Sequence, residues 1–177
     1  SLMDNFSNSV FWLNSTRKHP PREFGIGLGI KSKIQPNGLG TAEAIWFLGE
    51  NKSPSFDDIN LWMEETCQRQ INIHNSSDSS TNGRRKVRLE SISTNIRDSS
   101  EKIRVSVLDS GEGIAQALPV VTLCAQAANG ELGESPIIVL EQPELHLHPQ
   151  AVITLTEFLV RCINKNKNVR YIIETHS

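Results

Sequence analysis

The chain has 177 residues, 18 basic and 20 acidic, with 37% hydrophobic residues, 11 Gly and 8 Pro. That length carries one ordinary domain or two very small ones, and such a chain buries roughly 70% of its unfolded surface. The composition excludes a collagen, a coiled-coil rod and a wholly disordered chain, and the net charge of −2 gives no global pull toward nucleic acid or anionic lipid. No apolar run reaches the about 18 residues that a membrane-spanning helix needs, and no secretory signal pattern opens the chain. Cys67, Cys124 and Cys162 are odd in number and far apart, which points to free thiols in a reducing compartment. The expectation is a cytoplasmic protein.

In chain order, residues 5–40 read as loop, stiffened at His19-Pro20-Pro21 and punctuated by Gly25, Gly27, Gly29, Gly38 and Gly40. Thr41 to Leu48 reads as a short helix with Thr41 as N-cap. A second helix, capped by Ser55 or Asp57, places Ile59, Trp62 and Met63 on one face and runs to about Cys67. Residues 75–83 are a polar, turn-rich loop. The alternating runs at 86–94 and 102–108 predict an antiparallel pair, buried on one face. The glycine turn Asp109-Ser110-Gly111-Glu112-Gly113 then leads into an apolar helix of about sixteen residues, ended by Asn129-Gly130, with Pro119 in its early turns. Residues 137–141 form an unbroken apolar run, the pattern of a parallel strand buried on both faces. A helix from Pro149 to Ile163 and a second such strand at 169–174 complete a β-α-β unit.

Charge is uneven. Residues 84–104 hold seven basic and three acidic side chains, whereas 109–144 hold six acidic side chains and no Lys or Arg. The basic segment is either a solvated sheet edge or a contact for nucleic-acid phosphates. The acidic stretch is where a cation site is expected.

The richest chemistry follows the strand at 137–141. A buried parallel strand delivers its carboxyl end to the ligand crevice of an open α/β sheet. Glu141 stands there and can hold Mg²⁺ directly or through water. Gln142 can orient a water but cannot act as a base. Glu144 is a further carboxylate. His146 and His148 invite a zinc reading with Glu141 or Glu144, although zinc needs three or four convergent ligands. Gly25-Ile26-Gly27-Leu28-Gly29-Ile30-Lys31-Ser32 is glycine-rich but lacks the Gly before Lys31 that a phosphate loop requires, and G-x-x-x-x-G-K-[ST] occurs nowhere.

The segment Glu141-Gln142-Pro143-Glu144-Leu145-His146-Leu147-His148-Pro149 resembles the Walker B and D-loop segment of ABC-type ATPases. The nearest group is the prokaryotic ATPase families related to the overcoming-lysogenization-defect proteins. Asp109 to Pro119 resembles their signature motif, and Glu174-Thr175-His176-Ser177 their switch-histidine segment. The resemblance covers residues 103–177; the segment around Thr16-Arg17-Lys18-His19-Pro20-Pro21 fits only loosely. It implies ATP and Mg²⁺ as cofactors, Glu141 as the Walker B acid on the metal and His176 as the switch histidine at the γ-phosphate. Gln142 stands where many ABC ATPases carry the catalytic glutamate, with Glu144 a candidate substitute. Ser110, Gly111, Gly113 and Gln116 would contact nucleotide phosphate held by a partner subunit, at a helix N-terminus suited to anions.

The expected fold is α/β, a partial P-loop NTPase domain with parallel strands at 137–141 and 169–174 and an antiparallel pair within 86–108. Residues 1–83 would form an irregular helical and loop subregion, and 84–177 the carboxy-proximal ATPase lobe, together one truncated domain. Such a lobe would hydrolyse ATP only when completed by a phosphate-loop lobe and a second subunit, and would self-associate through exposed apolar surface. The alternative is a non-hydrolysing, nucleotide-responsive interaction module.

Overall fold

A computed structural model describes residues 9–26, 33–76, 85–94 and 103–176. The glycine-rich stretch 27–32, residues 77–83 of the polar loop expected at 75–83, the basic positions Arg84, Arg97 and Lys102 and the terminal Ser177 lie outside the described residues, while Asn75 and Ser76 of that expected loop belong to a strand.

Among the described residues, two sheets organise the chain. The first is parallel, in the order β1 (Val10–Leu13), β6 (Ile137–Glu141), β7 (Arg170–Glu174). The second is antiparallel, built around β4 (Arg85–Ser93). On one edge of β4 lies β3 (Arg69–Ser76); on the other lie β2 (Phe24–Ile26) and β5 (Arg104–Ser106). Among the described residues, four helices connect and cover them: α1 (Thr41–Glu50), α2 (Pro54–Cys67), α3 (Glu112–Ala128) and α4 (Pro149–Lys165). A single 3₁₀ turn, Val107–Ser110, links β5 to α3. The fold is α/β, with the expected parallel strands β6 and β7 on either side of α4 and the expected antiparallel pairing of β4 with β5. None of the helices among the described residues is long and apolar enough to cross a membrane.

The core sits between the sheets. Ile59, Trp62 and Met63 of α2 are fully buried, as their spacing predicts, and α2 packs against β3, α3 and α4. Helix α3 is buried along nearly its whole length, which explains its lack of charge after Glu112. The antiparallel sheet turns Ile71, Val87 and Leu89 inward. The three thiols are free, and Cys124 and Cys162 are buried.

Four expectations need correction. Residues 5–40 are not all loop, since β1 and β2 lie there. Helix α1 is capped by Gly40, at φ +90°; Thr41 is its first helical residue, with Oγ1 donating to the Gly38 carbonyl at 2.7 Å. Helix α2 starts earlier than expected because Pro54 suits the first helical position, and Ser53, not Ser55 or Asp57, accepts from the Ser55 N–H at 3.0 Å. Among the described residues, the parallel strands are covered on one face only. Ile138 and Leu140 are fully buried, but Ile137 and Val139 are half-buried and β7 is largely exposed. No element among the described residues lies over that second face.

Candidate functional site

The carboxyl ends of β1, β6 and β7 form one edge, and the candidate residues gather there. Glu141 closes β6. Trp12 Nε1 donates to Glu141 Oε1 at 3.0 Å, and the Ser15 backbone N–H donates to Oε2 at 3.3 Å. Two donors therefore fix the carboxylate, and its remaining lone pairs stay open to a ligand. Glu141 also sits beside Glu174 in the β6–β7 register, on the same face. Like charges side by side on a sheet repel, and a cation between them would relieve that.

After Glu141 the chain turns sharply. Gln142 adopts φ +44°, and its N–H donates to the Glu174 carbonyl at 2.8 Å, extending the ladder by one bond. A tight turn follows, with Leu145 N–H on the Gln142 carbonyl at 3.1 Å and Leu147 N–H on the Glu144 carbonyl at 3.0 Å. This folds Glu144 back toward β7. Thr175 Oγ1 donates to Glu144 Oε1 at 2.7 Å, and the His176 N–H reaches the same oxygen at 3.3 Å. His176 Nε2 lies 3.2 Å from Glu174 Oε1. Glu141, Gln142, Glu144 and His176 thus share one edge of one sheet, with Glu174 among them.

The histidines after the turn do other work. His148 Nδ1 accepts from Gln150 N–H at 3.4 Å and caps α4, while His146, at φ +67°, is exposed. Among the described residues, no three His, Cys, Asp or Glu side chains converge on a metal position.

The glycine turn approaches the same loop from the other side. A Cβ on Gly113 would lie 2.4 Å from the His146 carbonyl oxygen, so only glycine lets α3 pack this closely on the loop after β6. Gly111 precedes α3 at φ +122° with open space around it, and no side chain caps the helix. Its first N–H groups are therefore unspent on side chains. Ser110 Oγ lies 2.6 Å from Ser91 Oγ on β4. Asp109 receives both Nη groups of Arg22, at 2.8 and 2.7 Å, and that guanidinium holds the Asp109 carboxyl below its ordinary range. Gln116 is buried, with Nε2 3.4 Å from His19 Nε2 and Oε1 without a partner.

Sequence reasoning missed Trp12 and Ser15, and named Arg17 and Glu174 within longer segments without giving either a role. Arg17 is 4% exposed and donates four hydrogen bonds to backbone carbonyls. Burial lowers its pKa from the ordinary arginine value, opposed by the field of Glu144. Trp12 and Ser15 were legible only as neighbours of β6, since β1 pairs with it from more than a hundred positions away.

An edge of this kind, at the carboxyl ends of a parallel sheet, is where α/β proteins bind their ligands. A family model of the AAA ATPase domain matches residues 30–177, well over half of the chain. The chain belongs to the AAA ATPase domain family. A search of curated proteins found no match. Domains of this family bind and hydrolyse ATP, generally with Mg²⁺, on a P-loop NTPase-like fold. The residues of this AAA ATPase domain suit that metal better than zinc. Mg²⁺ is ordinarily held by one or two carboxylates plus substrate phosphates, so Glu141 beside Glu174 matches it without a closed cluster of side chains.

Proposed function

We propose that this chain is the carboxy-proximal lobe of an ABC-type ATPase head, related to the overcoming-lysogenization-defect group. In this reading ATP is bound and hydrolysed with Mg²⁺ between two subunits. The observation that carries it is Glu141, fixed by Trp12 and Ser15 at the end of the central parallel strand, with Glu144 and His176 hydrogen-bonded to each other alongside it. Glu141 would hold the metal. His176 would stand at the terminal phosphate, its ring steadied by Glu174. The bound metal would neutralise charge on the transferring phosphoryl group. Gln142 and Glu144 would orient the attacking water, Gln142 as an amide and Glu144 as the carboxylate able to take its proton.

Two further parts come from outside residues 1–177. No G-x-x-x-x-G-K-[ST] occurs in the sequence, and in this reading the phosphate loop would be supplied by another lobe or chain. Parallel sheets are normally covered on both faces, yet Trp12 and Ile172, at the same level of the sheet, are 46% and 59% exposed. That apolar row supports a covering partner and self-association of the uncovered lobe. On the opposite side of the site, Ser110, Gly111, Gly113 and the open N-terminus of α3 would receive phosphate of a nucleotide held by the second subunit. Direct nucleic-acid contact through residues 84–104 has less support, because Arg88 within that segment is already paired with Glu23.

The test is Mg-ATP turnover by the complete ATPase assembly and by residues 1–177 alone. The assembly is expected to turn over ATP and to lose at least about a hundredfold in rate on Glu141→Ala. The isolated lobe is expected to be silent, and turnover by it that Glu141→Ala abolishes would refute the need for a second lobe and subunit. A second reading rests on Gln142, which cannot serve as a base. If the assembly binds nucleotide, changes shape and does not turn it over, the chain belongs to a nucleotide-responsive interaction module.

A further inference from the structure

Arg17 lies in no strand or helix, yet it is among the most buried polar residues of the molecule, at 4% exposure. A buried guanidinium is costly unless its donors are spent. Here Nε donates to the Gln116 carbonyl at 2.9 Å, Nη1 to the Asn14 carbonyl at 3.0 Å and the Glu141 carbonyl at 2.9 Å, and Nη2 to the Gln142 carbonyl at 3.0 Å. Four of its five N–H groups therefore reach three separate segments: the turn after β1, the second turn of α3 and the end of β6. The rigid planar fork of arginine can hold such a set, and a lysine ammonium on a flexible stem cannot.

The α3 acceptor is a particular one. Pro119 has no N–H to offer the Ala115 carbonyl, which weakens the helix ladder at this turn. The neighbouring carbonyl, that of Gln116, is the one Arg17 takes. Gly113 adds a second, independent contact between α3 and the loop after β6, through its close approach to the His146 carbonyl. The first two turns of α3 are thus tied at two points to the loop that carries Gln142 and Glu144.

We propose that Arg17 is a positioning residue that couples the Ser110–Gly113 turn to the Glu141–Glu144 edge, so that movement of one is transmitted to the other. The coupling is a property of the fold; its use in catalysis rests on the ATPase reading above. Through it, a phosphate seated at the amino end of α3 would set the geometry of the carboxylates on the far side of the arginine. The link runs through a chain of backbone acceptors and one rigid side chain, a physical connection and not mere proximity.

The test is amide hydrogen exchange on the full chain with Arg17→Lys and Arg17→Gln. Exchange at 113–118 and 142–147 is expected to rise together, by about tenfold or more, while 59–71 in α2 and β3 stays within about twofold. A rise at only one of the two segments, a uniform rise throughout the chain, or no change overturns the coupling. So does failure of both variants to fold, which would make Arg17 a purely structural residue. In the complete ATPase, Arg17→Lys is expected to lower kcat about tenfold with KM for Mg-ATP within about twofold. A raised KM with unchanged kcat overturns the catalytic use of the coupling. Coupled exchange in a wild-type protein that neither binds nor turns over nucleotide would strike the ATPase reading and support the coupling itself.

Discussion

Arg17, at the edge of the parallel sheet, and Arg22, beside the antiparallel sheet, differ in almost everything except the side chain. Arg17 is buried among backbone carbonyls, and burial pulls its pKa down. Arg22 is solvent-exposed, grips Asp109 with both Nη groups, and its pKa is pushed up by that carboxylate. The contrast extends to their surroundings. The parallel sheet gathers Glu141, Gln142, Glu144, Glu174 and His176 at one end and fixes the Glu141 and Glu144 carboxylates with donors from distant parts of the chain. The antiparallel sheet spreads its charges over an outer face, where Arg22, Glu23, Arg88, Glu90, Arg104 and Asp109 line an open cleft of about 640 Å³. In the first region charge is positioned; in the second it is mostly neutralised in pairs. Exposed pairs of that kind contribute little to stability, whereas a buried donor set fixes geometry.

Helix α2 packs on β3 of the antiparallel sheet and on helices α3 and α4. Trp62 is fully buried there, and its indole N–H has no partner. Trp62→Ala is expected to cost about 3–5 kcal/mol in urea unfolding, through the cavity it leaves. Trp62→Phe should cost far less, about 1–2 kcal/mol, because it also removes an unsatisfied donor. Equal losses in the two variants would mean that the indole N–H is satisfied in solution and that packing alone does not explain this seam.

Gly113 separates the regions more finely. Gly113→Ala drives a Cβ against the His146 carbonyl and is expected to cost about 2–3 kcal/mol. Gly111→Ala meets no atom within contact distance, and only the backbone strain of φ +122° opposes it, about 1–2 kcal/mol. The first variant should also disturb nucleotide turnover through the loop after β6. If Gly111→Ala proves the more damaging for stability, the close approach of α3 to that loop is not what holds the two together.

The ease of reading these regions in the sequence differs for a physical reason. Helix α2, strand β6 and helix α3 have long, strongly patterned apolar runs, and Ile59, Trp62, Met63, Ile138 and Leu140 were identifiable from them. Strand β1 is only Val10–Leu13, and its partner begins at Ile137, so nothing local marks it. Strand β3 reads Arg-Gln-Ile-Asn-Ile-His-Asn-Ser, poor in strand formers, and exists because β4 pairs along its whole length. The motif order pointed to Glu141, Gln142 and His176, which the fold brings to one edge, because such motifs are written in short, contiguous segments. Arg17 stayed hidden because arginine is seldom buried, and only the assembled fold shows its four carbonyls.

Alkaline pH distinguishes the core behind the parallel sheet from the charged face of the other. Burial pushes the Cys162 thiol up to about 12, and raises Cys124 and the Tyr171 phenol well above their usual values. In the unfolded chain a thiol ionises near about 8.5, so the unfolded state releases protons first as pH rises. The stability that these groups contribute is complete below that value and is lost as pH climbs toward the folded pKa. Each thiol should remove up to about 1.4 kcal/mol per pH unit above about pH 9. Urea midpoints measured between pH 8 and 11 should therefore fall, and Cys162→Ala should flatten the slope. A slope unchanged in that variant would show that Cys162 is open to water.

The smallest effect is expected at Asp109, and its sign is the opposite one. Arg22 holds the Asp109 carboxyl below its ordinary value, so the pair contributes above about pH 4, the unfolded carboxylate pKa, and loses that contribution as pH falls through the folded pKa. Both partners are exposed, and salt screens them. Asp109→Asn should therefore leave the unfolding midpoint at neutral pH and high salt unchanged, and remove a small part of its acid dependence at low salt. Asp109 adjoins Ser110 at the start of the glycine turn, which gives the pair a second way to matter. If Asp109→Asn leaves stability intact yet slows ATP turnover as strongly as Arg17→Lys, then the exposed arginine positions the turn too. Its ion pair would then do for Ser110 what the buried fork does for Glu141, and the division between positioned and merely neutralised charge would no longer follow the two sheets.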